Sequence, residues 1–205
     1  MKTRIMILLI AAATAAMPLA AHAQQLFDFN GQTDLPAVLG DNLTMYSVMY
    51  DPSPAVTPIP LDFANFQFTL VVTGLQLLVD GNPQTYGGGT VVIYQDAATL
   101  ADFGAVGTFT DGTAILVGDL TNLNRTMFTA FIGSVMGTVN WIGGIRLNDI
   151  APEDQDGWAF LSGTINRAAN VLPGFDEQWD GKVEPQEPIV ESVPTSWGTV
   201  KALFD

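Results

Sequence analysis

The chain has 205 residues, of which 48% are hydrophobic and 14% charged, with 20 Gly, 12 Pro and no Cys. That is enough for one domain with a sizeable core and too apolar for a disordered chain. Seven basic residues against 21 acidic ones leave a formal net charge of −14, which repels phosphate backbones and anionic lipid surfaces and excludes nucleic acid as a partner.

Residues 1–23 read as a secretory signal peptide. Lys2 and Arg4 precede an apolar run from Ile5 to Leu19, and Ala21-His22-Ala23 places small residues at the two positions a signal peptidase reads. The run is too short for a membrane anchor, so the mature chain is expected to begin at Gln24, outside the cytoplasm, secreted or held in the periplasm or at the cell surface. Cleavage removes the only histidine, His22, and leaves a chain with neither His nor Cys. Ser-His-Asp and Cys-His catalysis in their usual forms, ordinary zinc sites and disulfides are thereby excluded.

The mature chain patterns as β structure. A short first strand is expected at Leu26 to Phe29, and a second from Leu43 to Tyr50. Pro52, Pro54, Pro58 and Pro60 make an extended loop that cannot be a central strand. From Asn65 to Thr73 the alternation is nearly perfect, with Phe66, Phe68, Leu70 and Val72 on one face. Thr90 to Gln95, Thr113 to Val117 and Trp158 to Ile165 are further strands. Asp80-Gly81-Asn82-Pro83, Asp111-Gly112 and Asp156-Gly157 supply turns, Asp111-Gly112 as a hairpin between Thr108-Phe109-Thr110 and Thr113. One short helix is expected over Ala97 to Phe103, capped by Asp96 and ended by Gly104.

Thr126 to Ile145 carries no charge and is long enough to cross a bilayer, but it holds four Gly, three Thr, a Ser and an Asn. Those residues oppose membrane insertion and fit two buried strands with Gly at bends, so no membrane span is expected in the mature form. The sum is an all-β fold, an antiparallel β-sandwich or jelly roll with one short helix, spanning residues 24–170. Residues 171–205 read as an acidic, Pro-rich tail, with Glu184-Pro185-Gln186-Glu187-Pro188 as linker and a compact apolar end from Trp197 to Phe204.

The stretch Gly87-Gly88-Gly89-Thr90-Val91-Val92-Ile93-Tyr94-Gln95-Asp96, followed by Ala101-Asp102-Phe103 and by Thr108 to Gly118, resembles one found in uncharacterised exported bacterial proteins. Many of these carry a PEP-CTERM or other C-terminal sorting signal. The resemblance covers about 30 residues and implies an extracytoplasmic β-sandwich with no known activity. The closing Pro-Glu-Pro, membrane helix and basic cluster of that family are missing here, so its sorting route does not carry over.

Chemistry-bearing residues are few. Asp149, Glu153, Asp154 and Asp156 form the densest acidic cluster, and Asp154-x-Asp156-Gly157 matches part of a calcium loop without its first Asp or its closing bidentate Glu. These four are the candidate metal ligands, with calcium the one cofactor to consider; otherwise the cluster is a solvated loop. Asp176-Glu177-Gln178-Trp179-Asp180-Gly181 is a second candidate for calcium, and otherwise a polar turn with Trp179 covering the core edge. A carboxylate-pair hydrolase needs a Glu or Asp acid facing a second carboxylate, and the Glu candidates outside the tail linker are Glu153 and Glu177. Tyr46, Tyr50, Tyr86, Trp158 and Trp179 could form a carbohydrate platform or simply pack the core. Gly87-Gly88-Gly89 has no following Lys and no βα context, so it is not a phosphate cradle. The expectation is a non-enzymatic exported structural, surface or matrix protein with no catalytic residues. The alternatives are a calcium-assisted carbohydrate-binding module and, third, a carboxylate-pair hydrolase.

Overall fold

The computed structural model describes residues 24–186. The signal peptide and the apolar end from Trp197 to Phe204 lie outside the described residues. Nine strands follow in order: β1 (Phe27–Asp34), β2 (Asn42–Tyr50), β3 (Gln67–Val79), β4 (Gln84–Gly87), β5 (Gly89–Asp96), β6 (Thr113–Met127), β7 (Ile132–Gly143), β8 (Trp158–Ile165) and β9 (Glu177–Glu184). All pairings between them are antiparallel, and β4 and β5 lie end to end along β3 and β6, separated only by Gly88. The remaining strands pair with their chain neighbours, and β9 returns to pair with β1 across Phe29 and Gly181. The sheet thus closes into an eight-stranded antiparallel up-and-down barrel.

This corrects the sandwich or jelly roll to a barrel while keeping the all-β class. The physical reason is that pairing the first strand with the last removes both sheet edges, which a two-sheet sandwich would leave open. Local geometry helps the sheet to curl. Gly74 in β3, Gly88 between β4 and β5, and Asn122 in β6 all have positive φ, at 73°, 74° and 53°. They sit on neighbouring strands, where the β6–β7 register also shifts, and together they make a corner.

The core is the barrel lumen. Phe27, Phe29, Met45, Phe68, Leu70, Val72, Val91, Ile93, Leu120, Val139, Trp141, Trp158 and Phe160 fill it. Phe27 stacks on Trp158 with centroids 5.8 Å apart and meets Trp141 edge-on at 6.1 Å. Such pairs add about 0.5–1.5 kcal/mol each beyond the area they bury. The outer face carries Asp28, Asn30, Thr90, Asp119, Asn140 and Asp180 alongside the exposed Tyr50, Leu78, Met136 and Ile142. Among the described residues no helix is long and apolar enough to cross a membrane.

Four local expectations change. No α-helix forms over Ala97 to Phe103; the Asp96 carboxylate accepts the Ala98 and Thr99 N–H groups, and the Asp102 carboxylate accepts that of Gly104, so side chains close successive turns in place of a helical ladder. Asp111-Gly112 is not a hairpin turn, because Val106–Phe109 is a 3-10 turn and β6 pairs with β5 instead. Residues 177–184, assigned above to the tail, are the closing strand of the barrel. Thr126 to Ile145 does form strand on both sides of a turn, but Phe128, Phe131, Ile132 and Met136 are exposed.

Candidate functional site

The barrel has two unlike ends. At the proximal end, where β1 begins and β9 stops, lie the loops 51–66, 97–112 and 144–157. Ile59 and Ile150, both fully buried, pack against the lumen aromatics there, and Trp158 Nε1 donates to the Asp154 carbonyl. At the distal end lie the four connections 35–41, 80–83, 128–131 and 166–176.

Toward the distal end the lumen turns polar. Arg125 on β6 and Glu177 on β9 form a buried ion pair across it, and two strands separate them in the sheet. Arg125 Nε donates to Glu177 Oε2 at 2.9 Å, and Nη2 donates to Oε1. Thr164 Oγ1 and, at 3.1 Å, Trp179 Nε1 also donate to Oε2. Arg125 Nη1 donates to Gln84 Oε1, which also accepts the Tyr86 hydroxyl. Burial pushes the Glu177 carboxyl up, but the donors from Arg125, Thr164 and Trp179 outweigh it and hold the carboxyl below its ordinary range. Burial likewise opposes the charge on Arg125, and Glu177 outweighs it, so the guanidinium is held above its ordinary value. Burial pushes the Tyr86 hydroxyl up to about 12. The pair is a cross-lumen tie in which each guanidinium nitrogen donates a hydrogen bond.

The four candidate metal ligands sit in the proximal loop 144–157. Asp149 is taken by Arg146, whose Nε donates to Oδ2 at 2.6 Å and whose Nη1 donates to the Pro60 carbonyl. Glu153 and Asp154 lie in the 3-10 turn Pro152–Asp154, and Asp156 precedes Gly157, which turns the chain into β8 with φ +79°. Among the described residues no group of three or more acidic side chains is arranged to hold a metal ion; Asp149 is turned to Arg146, while Glu153, Asp154 and Asp156 line a small hollow beside Trp158.

No family model matches the chain, and no curated protein or solved structure matches it significantly. Its chemistry therefore rests on its own geometry.

The aromatic platform does not assemble. Tyr86, Trp158 and Trp179 are interior, and Tyr46 packs under Phe109 and Phe175, leaving Tyr50 exposed. Glu153 and Glu177 do not face one another: one is in an exposed proximal turn and the other is locked to Arg125 inside the barrel. Several clefts lie on the outside, including a small one of about 180 Å3 lined by Glu153, Asp154, Asp156 and Trp158, and two others bear on function. One, of about 380 Å3, lies between 63–68 and 96–100, and its single carboxylate is Asp96. The other is a shallow trough over Gly163 with Met136 and Leu161 on one side and Asp28, Asp180 and Lys182 on the other. Burial, and then the nearby Asp180, hold the Asp28 carboxyl above its ordinary range.

Sequence reasoning passed over Arg125 and Thr164, and read Glu177 as part of a polar turn or as a candidate hydrolase acid. The available signal was the scarcity of basic residues: an Arg within an alternating apolar segment, in a chain with so few cations, has to be paired if it is buried.

Proposed function

We propose that this is a non-enzymatic exported protein that works through its outer surface, in a structural, surface or matrix role outside the cytoplasm. The observation that carries the reading is the filled lumen. A small eight-stranded barrel can hold one ligand or be packed solid, and here Phe27, Phe29, Trp141, Trp158, Phe160 and Trp179 occupy the interior. Glu177, the one interior carboxylate among the described residues, is neutralised by Arg125. The acidic outer surface suits solubility in an exported chain. The resemblance of residues 87–118 to exported bacterial proteins points the same way.

The test is fractionation of the producing bacterium with N-terminal sequencing of the recovered protein. Recovery in the envelope or medium, starting near Gln24, is the expected result. A cytoplasmic product with Met1 intact overturns the reading.

A further inference from the structure

The distal end is built as a surface. Its four connections are stitched into a ring. Gly40 N donates to Leu77 O and Leu77 N to Asp41 O. Asn82 Nδ2 donates to Met127 O while Met127 N donates to Asn82 Oδ1, both at 2.9 Å. Asn166 N donates to Phe131 O. Leu172 N donates to Gln32 Oε1, and Leu35 N donates to Asp176 Oδ2 at 2.8 Å, which closes the circle. From this ring project Val38, Leu39, Val79, Phe128, Phe131 and Leu172, with Phe128 66% and Leu39 60% exposed. Turn tips are ordinarily polar, because polar side chains satisfy the turn and face water; Val38, Leu39, Phe128, Phe131 and Leu172 on the distal connections depart from that, with Val79 at the end of β3 beside them, and the proximal loops also expose Val56, Leu100, Val106 and Ile145, so it is charge that sets the two ends apart.

Charge is segregated along the barrel axis. The proximal loops 51–66, 97–112 and 144–157 carry eight carboxylates, and the distal connections carry three, Asp41, Asp80 and Asp176, with Asp34 beside them. Arg167 is the one cation in the distal connections, and its guanidinium lies over the Phe131 ring, 5.9 Å from the centroid.

We propose that the distal end docks peripherally on a zwitterionic phospholipid surface bearing ammonium and phosphate groups, such as phosphatidylethanolamine. The proposal goes beyond the surface role above and rests on it only in taking the outer face as the working part. Three observations select this occupant. The apolar side chains stand on separate turn tips around a packed lumen, as projections that a fluid interface can envelop, where a protein partner would need matching pockets. The rim pairs with a zwitterionic headgroup: Arg167 suits the phosphate, and Asp34, Asp41 and Asp80 suit the ammonium. A second copy set tip to tip would bring a rim of four carboxylates and one cation against an identical rim, and an anionic surface would meet one cation against a net charge of −14.

The absence of cysteine makes the test clean. The exported protein is prepared with a single Phe128→Cys or, at the opposite end, Ala97→Cys, labelled with an environment-sensitive fluorophore and mixed with vesicles of phosphatidylethanolamine and phosphatidylcholine or with phosphatidylglycerol vesicles. A blue shift at 128 and none at 97 on the zwitterionic vesicles is expected, with weaker binding to phosphatidylglycerol. In the unlabelled protein, Phe128→Asp with Phe131→Asp should lower vesicle partitioning at least tenfold, as should Val38→Asp with Leu39→Asp; near-UV circular dichroism reports folding, so either pair decides if the other unfolds. No shift on any vesicle, a preference for phosphatidylglycerol, or vesicle-free dimerisation abolished by the same variants overturns the proposal, the last naming a second copy as the occupant. An envelope-located protein that binds no vesicle overturns the docking alone, whereas a cytoplasmic product with Met1 intact overturns the surface role itself.

Discussion

Breaking the Arg125–Glu177 tie should be the most costly polar change available to this barrel. In Glu177→Gln the side chain keeps its volume and can still accept from Thr164 and Trp179, but its amide NH2 is forced among donors, and Arg125, only 10% exposed at its side chain, keeps a charge with no counter-ion. Removing one partner of a buried pair costs about 3–5 kcal/mol. At roughly 2–4 °C per kcal/mol for a domain of this size, the melting temperature should fall by roughly 6–20 °C. Arg125→Met should cost a similar amount, tempered because Glu177 can then take up a proton. The double variant Arg125→Met/Glu177→Gln buries no charge and still gives Thr164 and Trp179 an acceptor, so it should lose less than the two single variants combined, with a coupling of about 2 kcal/mol or more. The assay is equilibrium urea unfolding followed by the fluorescence of the buried Trp141, Trp158 and Trp179. The folded carboxyl of Glu177 sits below its unfolded value. Its contribution is therefore complete above the unfolded value near 4.5 and is lost as pH falls through the folded value; Glu177→Gln should flatten that acid limb. Single-variant losses under about 1 kcal/mol that simply add would refute a buried tie, since that is the behaviour of a solvated surface pair.

Other perturbations test other parts of the fold. Gly31→Ala should destabilise the barrel by about 2 kcal/mol or more in a thermal melt, because the new Cβ would lie 2.4 Å from the Tyr46 carbonyl oxygen on the neighbouring strand, where backbone cannot yield cheaply. Trp158→Ala should cost about 3–5 kcal/mol and erase much of the near-UV circular dichroism, since it empties the centre of the Phe27–Trp141–Trp158 cluster; an unchanged spectrum would argue against that packing. Millimolar calcium should leave the melting temperature equal to that in chelator. A rise that disappears in Asp154→Asn with Asp156→Asn would instead place calcium in that loop.

Several strands were legible in the sequence because local alternation reports a buried face. Phe68, Leu70 and Val72 point inward as their spacing implies, and β8 spans the expected Trp158 to Ile165. β1 reads short because its inward positions after Phe29 are Gly31 and Thr33, which carry no hydropathy signal. β9 is invisible for the same reason: its inward positions are Glu177, Trp179, Gly181 and Val183, and a period-two search finds an acid and a glycine where it wants hydrocarbon. Burying Glu177 is tolerable only because Arg125, 52 positions away, meets it across the lumen. A contact of that kind leaves no mark in any local window. Closure itself is equally non-local, and without it short strands and frequent turns suggest a sandwich. Trp179, which beside Asp176 and Asp180 was open to either a surface platform or core packing, is fully buried.

The pairing of β1 with β9 also sets a clock. Phe29 lies opposite Gly181, so the barrel joins residues about 150 positions apart, and the loop-closure cost grows as the logarithm of that separation. At about 5–20 residues per second of synthesis, β1 is made on the order of ten seconds before the strand that completes it. Through that interval Phe27 and Phe29 and the open edge of β1 are unprotected on that side, and β8 gains an open edge of its own as soon as it is made. Sheets that depend on such distant pairings fold in milliseconds to seconds even when the whole chain is present. Holding factors and proteases therefore meet this chain in a long window before closure, and a chain stalled before Glu177 never leaves it.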